Sequence, residues 1–249
     1  MKFRIVMVVI AVVLSGRLFS QPDTEDDKLS SFTINSNILS ESISVTTYNA
    51  FSNDYISNII YITDGQKMID NGALDTIKTL TAKGKIPEAT YVFVSTIDAQ
   101  TKEDKRNTYF FCNADYIRFF EEELVPQIEG TLSRKRTPEQ RSLIGISFGG
   151  LSAAYFTGKT DLFQNYALLS PITYPCDDAL KAIAFSENKN LNILISTGKN
   201  DAENYVTPLT NLYKSKGYTV KNITTKGAHD FENWNHQLEE VLNFLIQKK

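Results

Sequence analysis

Ser142-Leu143-Ile144-Gly145-Ile146-Ser147-Phe148-Gly149-Gly150-Leu151-Ser152-Ala153-Ala154-Tyr155-Phe156-Thr157 is the stretch on which the reading of this chain turns. Ser142 to Ile146 is a short run dominated by Leu and Ile, as expected of a central strand, and Gly150 to Thr157 carries small and apolar residues at helical spacing. Between them stands Gly145-Ile146-Ser147-Phe148-Gly149, a serine with glycine two residues away on either side. That is the context of a nucleophile elbow. The turn holds the serine in a strained conformation, a Cβ at either glycine would clash, and Oγ stands clear at the edge of the sheet over a helix N-terminus. Gly-x-Ser-x-Gly arises by chance in about one chain in a dozen of this length, and alone it reads as a Gly-rich turn. Its place between a strand and a helix points to a nucleophile.

Outward from this point the same alternation continues. Ile59 to Thr63, Thr90 to Ser95, Tyr166 to Leu169 and Leu191 to Ser196 are short, β-branched or aromatic, and bounded by Gly, Asp, Asn or Pro. They are expected to be central strands. Ala73 to Ala82, Ala114 to Ile128, Thr207 to Lys216 and Gln237 to Gln247 repeat apolar residues at three and four and are expected to be helices. In Ala114 to Ile128, Ile117, Phe119, Phe120, Leu124 and Ile128 line one face, with Glu121, Glu122 and Glu123 facing out. Strand-helix alternation of this extent predicts an α/β fold, a three-layer sandwich around a mostly parallel sheet with its site at the carboxyl ends of the strands. Phe32 to Tyr48 alternates polar and apolar residues, as a half-exposed antiparallel hairpin at one sheet edge would.

A serine hydroxyl needs a base within hydrogen-bond reach, and the chain has only two histidines. His229 lies in the loop after the strand-like Thr219 to Thr225 and before the last helix; His236 stands among Asn235, Gln237 and Glu239, where a solvated side chain is expected. His229 is therefore the candidate base. The base needs an acid to fix its tautomer and stabilise the imidazolium. Asp201 follows the strand Leu191 to Ser196 at the same carboxyl edge as Ser147, with Glu203 in reserve and Asp177 and Asp178 weaker for want of a clear strand end. The order Ser147, Asp201, His229 is that of α/β-hydrolases. Two oxyanion donors are expected: the backbone N–H of Phe148, and one from the loop Asp64-Gly65-Gln66, where Gly65 permits a bend that aims the N–H of Gln66, or its own, inward.

These residues resemble the esterase family of α/β-hydrolases that includes enterochelin and salmochelin esterases, feruloyl esterases and the mycolyltransferase antigens. The matching stretches, from about Ile38 to the C-terminus, are Tyr61 to Gln66, Glu123 to Ile128, Gly145 to Leu151, Ser170-Pro171, Thr197-Gly198 with Asp201, and Gly227 to Phe231 with Trp234. The resemblance implies a catalytic triad of Ser147, Asp201 and His229, with oxyanion donors at Phe148 and the residue after Gly65. It also sets Arg106 where some relatives keep an arginine near the substrate, although Lys102 to Arg106 reads equally as a solvated charged run. Ile146 stands where the family often shows His or Glu, and Ile172-Thr173-Tyr174 where it often shows an aromatic pair. Both departures border the acyl pocket in the family and bear on the substrate rather than the chemistry. Tyr174 and Trp234 are candidate substrate-binding walls, with core packing the competing reading.

With 42% hydrophobic and 22% charged residues, the composition excludes disorder and collagen. Net charge is −3, and without Lys2, Arg4 and Arg17 the balance is 23 cations against 29 acids, or −6, which argues against a nucleic-acid partner. Lys2 and Arg4, the apolar run Ile5 to Leu14 and the acids that follow read as a signal peptide over 1–20, leaving one hydrolase domain over 21–249 in a secreted or periplasmic protein. Leu18 is large for its place before that cleavage, so an uncut anchor is the alternative; ten apolar residues are too few to span a bilayer. Cys112 and Cys176 are free to bridge in an oxidising compartment, or to serve as small buried hydrophobes. The expected activity is that of a serine carboxylic ester hydrolase needing no metal or cofactor, on a small-molecule or glycan-linked ester. Acyl transfer and a non-catalytic binding module are the rivals.

Overall fold

The computed structural model describes residues 28–50, 58–130 and 135–246; the expected signal peptide lies outside them. Eight strands among the described residues form one sheet in the order β1-β2-β4-β3-β5-β6-β7-β8, from β1 (Leu29–Ser36), β2 (Glu41–Asn49), β3 (Ile59–Ile62), β4 (Thr90–Asp98), β5 (Arg141–Ile146), β6 (Asn165–Leu169), β7 (Asn192–Gly198) and β8 (Thr219–Thr225). The expected hairpin is β1 and β2, antiparallel at one edge, and every pairing from β4 across to β8 is parallel. This is the α/β-hydrolase fold.

Successive residues of a strand point to opposite faces, and each face of this sheet is buried under helices. Ile59, Tyr61 and Leu143 pack into one core with Phe110, Phe120, Phe156 and Tyr213, while Ile60, Ile62 and Ile144 pack into the other with Met68, Leu238 and Leu242. Hence these strands read as unbroken apolar runs rather than alternating ones. The helices are α1 (Gly65–Asp70), α2 (Ala73–Ala82), α3 (Arg106–Phe110), α4 (Ala114–Arg118), α5 (Val125–Glu129), α6 (Phe148–Lys159), α7 (Asp178–Phe185), α8 (Glu203–Ser215), α9 (Phe231–His236) and α10 (Leu238–Leu245).

The helix expected over Ala114 to Ile128 is interrupted: α4 passes through a π-helical turn, Phe119–Leu124, into α5. Pro126 has no N–H to continue an α-helical ladder, and the wider turn accommodates the break. Two of the glutamates expected to face out are used as anchors. Glu123 accepts from the Ser36 hydroxyl and the Asn37 N–H at 2.5 and 2.9 Å, and Glu121 accepts from the Thr160 hydroxyl. The acids thus tie the helix to the β1–β2 turn and to the end of α6.

Candidate active site

β5 delivers Ser147 and α6 begins at the next residue. Ser147 has φ 53° and ψ −117°, a backbone conformation that L residues rarely hold and that projects the side chain out of the turn. The flanking glycines permit it. A Cβ on Gly145 would lie 2.0 Å from the Gly149 carbonyl oxygen, and one on Gly149 would lie 2.7 Å from Thr63 Oγ1. The Ser147 N–H donates to the Leu169 carbonyl at 2.9 Å, which anchors the strained residue to β6.

Ser147 Oγ lies 2.9 Å from His229 Nε2, and His229 Nδ1 lies 2.5 Å from Asp201 Oδ1. The three residues follow the carboxyl ends of β5, β7 and β8, in the half of the sheet ordered β5-β6-β7-β8. His229 is 37% exposed at its side chain and Asp201 only 4%, so the imidazole faces the open rim while the carboxylate is shielded behind it. Asp201 Oδ2 accepts from the Gly198 N–H at 3.1 Å and from the Ser170 hydroxyl at 2.6 Å. The His229 loop is held from below by buried Asn233, whose Nδ2 donates to the Ala228 carbonyl at 2.8 Å and whose Oδ1 accepts from Thr225 Oγ1 at 2.7 Å.

Glu203 turns elsewhere. It starts α8 and accepts from the Asn200 N–H, and Asp178 pairs with Lys181 at 2.8 Å on α7. His236 is exposed at the end of α9, as expected for a solvated residue.

Phe148 and Gln66 stand at the starts of α6 and α1, where backbone N–H groups have no partner within the helix. The Gln66 side chain is occupied with β4: its Nε2 donates to Thr96 Oγ1 at 2.9 Å and its Oε1 accepts from the Thr96 N–H at 3.0 Å. The bend before α1 is made differently from the sequence expectation. Asp64, not Gly65, carries the left-handed φ of 55°, and Gly65 is required because a Cβ there would lie 2.4 Å from the Val94 nitrogen. The glycine serves close packing of α1 on β4.

Three of the residues expected to touch substrate are placed apart. Tyr174 is 66% exposed, with its ring 6.2 Å from Phe148 and 6.3 Å from Tyr205, as an open wall of the site would be. Trp234 is 4% exposed and packs in the core beneath the site. Its ring packs edge-on to His229 at 5.1 Å and its Nε1 donates to Ser170 Oγ at 3.1 Å, so it stands behind the imidazole, away from solvent. Arg106 is ion-paired rather than solvated, its side chain 17% exposed. Its Nε and Nη2 donate to the two oxygens of Asp64 at 2.7 and 2.9 Å, and its guanidinium lies over the Phe148 ring. Burial pushes the Asp64 carboxyl above its ordinary value, and the Arg106 hydrogen bonds and charge oppose that shift.

The family model described as "Putative esterase" matches residues 36–245. The chain belongs to that esterase family. An iron(III) enterobactin esterase of Escherichia coli O6:H1 is 32% identical over 79 residues, 32% of this chain and 19% of that protein. Another, from Dickeya dadantii, is 30% identical over 95 residues, 38% of this chain and 21% of its own length. The matched segments thus span about a fifth of those relatives. The crystal structure of the enterobactin esterase from Shigella flexneri in the presence of enterobactin superposes with a TM-score of 0.77 at 20% identity, covering 90% of this chain and 60% of that one. A ferulic acid esterase superposes at 0.70 and 18% identity, over 88% of this chain and 97% of its own. At such identities these structures speak for the fold this esterase-family chain adopts.

Sequence reasoning missed Ser170 and Gly198 as partners of Asp201, and Asp64 as the partner of Arg106. The Ser170-Pro171 and Asp64-Gly65 dipeptides stood out as family matches, but nothing local says which distant group each side chain meets.

Proposed function

We propose that this chain is an exported serine hydrolase of carboxylic esters that works through an acyl-enzyme. The observation that carries the reading is the hydrogen-bonded series from Ser147 Oγ through His229 to Asp201, at 2.9 and 2.5 Å. Ser147 Oγ attacks the ester carbonyl carbon as its proton passes to His229 Nε2. Asp201 accepts from Nδ1–H and stabilises the imidazolium. The tetrahedral oxyanion accepts from the N–H groups of Phe148 and Gln66. Collapse of the intermediate breaks the bond to the alcohol oxygen, which takes the proton from Nε2 and leaves. Water then attacks the acyl-enzyme by the same route in reverse.

Siderophore, feruloyl and short-chain esters are the candidate substrates, the first two because the similar proteins are named for them. Tyr174 and Phe148 offer rings at the rim for the acyl or alcohol part. Export rests on the N-terminal pattern of Lys2, Arg4 and the apolar run, together with the pairing of Cys112 and Cys176. Among the described residues no helix is long and apolar enough to cross a membrane.

Labelling by a fluorophosphonate probe tests the nucleophile. Wild type is expected to label and Ser147→Ala not to. Labelling that persists in the variant removes Ser147 from the role, and absence in both favours a binding module. On p-nitrophenyl acetate, His229→Ala is expected to lose about a thousandfold or more in kcat, and His236→Ala to stay near wild type.

A further inference from the structure

Ser170 is a fully buried serine with φ 46°, directly before Pro171. Both features disfavour it: left-handed φ suits glycine, and the residue before proline is biased to extended conformations. A strained side chain that glycine would relieve is retained where its hydroxyl meets two others. Trp234 Nε1 lies 3.1 Å from Ser170 Oγ, and Ser170 Oγ lies 2.6 Å from Asp201 Oδ2. An indole N–H can only donate, so Ser170 Oγ accepts from it, and the single hydroxyl proton is left to point at Asp201. The direction of the chain is thereby set.

We propose that Ser170 and Trp234 are positioning residues that hold the Asp201 carboxylate and its imidazole partner in register with Ser147. This rests on the nucleophile reading above. With Oδ2 held by the Ser170 hydroxyl and the Gly198 N–H, the carboxylate cannot rotate, and Oδ1 is left aimed at His229 Nδ1. Trp234 acts twice: its Nε1–H orients the Ser170 hydroxyl, and its ring edge, at 82° to the imidazole, limits the tilt of His229. Ser170 is wholly buried and Trp234 nearly so, so solvent is poorly placed to replace either donor. They stand on the β6–α7 connection and in α9, with Ser170 31 residues from Asp201 and 64 from Trp234.

The test uses the full chain and p-nitrophenyl acetate. Ser170→Gly removes the hydroxyl while suiting the backbone. It is expected to lower kcat about ten- to a hundredfold, the loss of one hydrogen bond to a charged group, with KM within about twofold and no fall in thermal midpoint. Trp234→Phe keeps a ring and removes the donor; it is expected to lower kcat by less than Ser170→Gly. The double variant is expected to be hardly worse than Ser170→Gly, because the indole N–H acts through the serine. In an Asp201→Ala background Ser170→Gly is expected to cost nothing further, which a purely structural role would not give. A Ser170→Gly enzyme with kcat within threefold of wild type, or a loss that persists undiminished without Asp201, overturns the proposal. If Ser170→Gly does not fold, Trp234→Phe compared with and without Asp201 gives the same decision. Fluorophosphonate labelling of Ser147 separates the two levels. An unlabelled wild type overturns the nucleophile and this role together, whereas a labelled wild type beside a fully active Ser170→Gly overturns the positioning role alone.

Discussion

Arg106 and Asp64 join the loop after β3 to the end of β5, the two pieces of backbone that carry the proposed oxyanion donors. Asp64 is fully buried at its side chain and Arg106 is 17% exposed, and a third contact runs from Arg106 Nη2 to the Ile146 carbonyl at 3.3 Å. Removing the cation alone strands a buried carboxylate. Arg106→Met is therefore expected to destabilise the fold at pH 7 by about 3 kcal/mol. The loss should shrink as pH falls: a buried carboxyl whose folded-state value is raised gains stability by protonation, and without Arg106 only the Lys67 charge opposes the rise. Urea unfolding at pH 7 and pH 5 checks this, and adding Asp64→Asn should recover most of the loss. At this scale the sequence was partly misleading. Lys102 to Arg106 has the charge density of a solvated run, and periodicity cannot register that one of its members faces a buried acid 42 residues away. The meeting of Ser147, His229 and Asp201 was legible because the chemistry proposed for them restricts residue type, and because a Gly-Ser-Gly turn has a steric cause that operates over five residues.

Elements were legible where burial imposes a period. β3 and β5 to β7 were found within about two residues of their ends because strands covered on both faces must be apolar throughout. The short helices α1, α3, α7 and α9 were not anticipated, since one or two turns carry too little periodicity. Boundaries moved where a distant group completes an element. β4, expected over Thr90 to Ser95, runs on to Asp98, whose carboxylate accepts from the N–H groups of Thr101, Ser42 and Gln100. The Thr101 and Ser42 backbone bonds pull the Asp98 carboxyl down to about 2. A carboxylate with a lowered folded-state value contributes stability above its ordinary range, and loses that contribution as pH falls through the folded value. The stability gap between wild type and Asp98→Ala should therefore be constant above about pH 5 and close as pH approaches about 2. Denaturant midpoints measured across that range check it; a gap independent of pH removes Asp98 as the cause.

Over the whole molecule, Cys112 and Cys176 are joined, with their Cα atoms 6.2 Å apart. The bridge crosses from the end of α3 to the loop between β6 and α7, beside the aromatic contacts of Phe111 and Tyr174 with Phe148. Closing a loop over a sequence separation of 64 removes about 4 kcal/mol of chain entropy from the unfolded state in the simplest treatment. Cys112→Ser/Cys176→Ser, or mild reduction of the wild type, should lower unfolding free energy by up to that amount. Denaturant titration with and without reductant measures it, and no difference would mean that the bridge does not constrain the unfolded chain. What residue order alone determined here was the layering of the fold and which three side chains, in which order, were candidates to meet. Both follow from local causes: strand and helix periods, and the few side chains able to do nucleophilic and proton-transfer chemistry. Only three-dimensional packing decided which groups hold those three in place. Ser170 against Asp201, Trp234 on Ser170, Arg106 on Asp64 and one cysteine on the other are partners separated by 31 to 64 residues. Such pairings are set by the parallel register of the sheet, which brings remote strand ends to one rim, and no short window of sequence contains both partners.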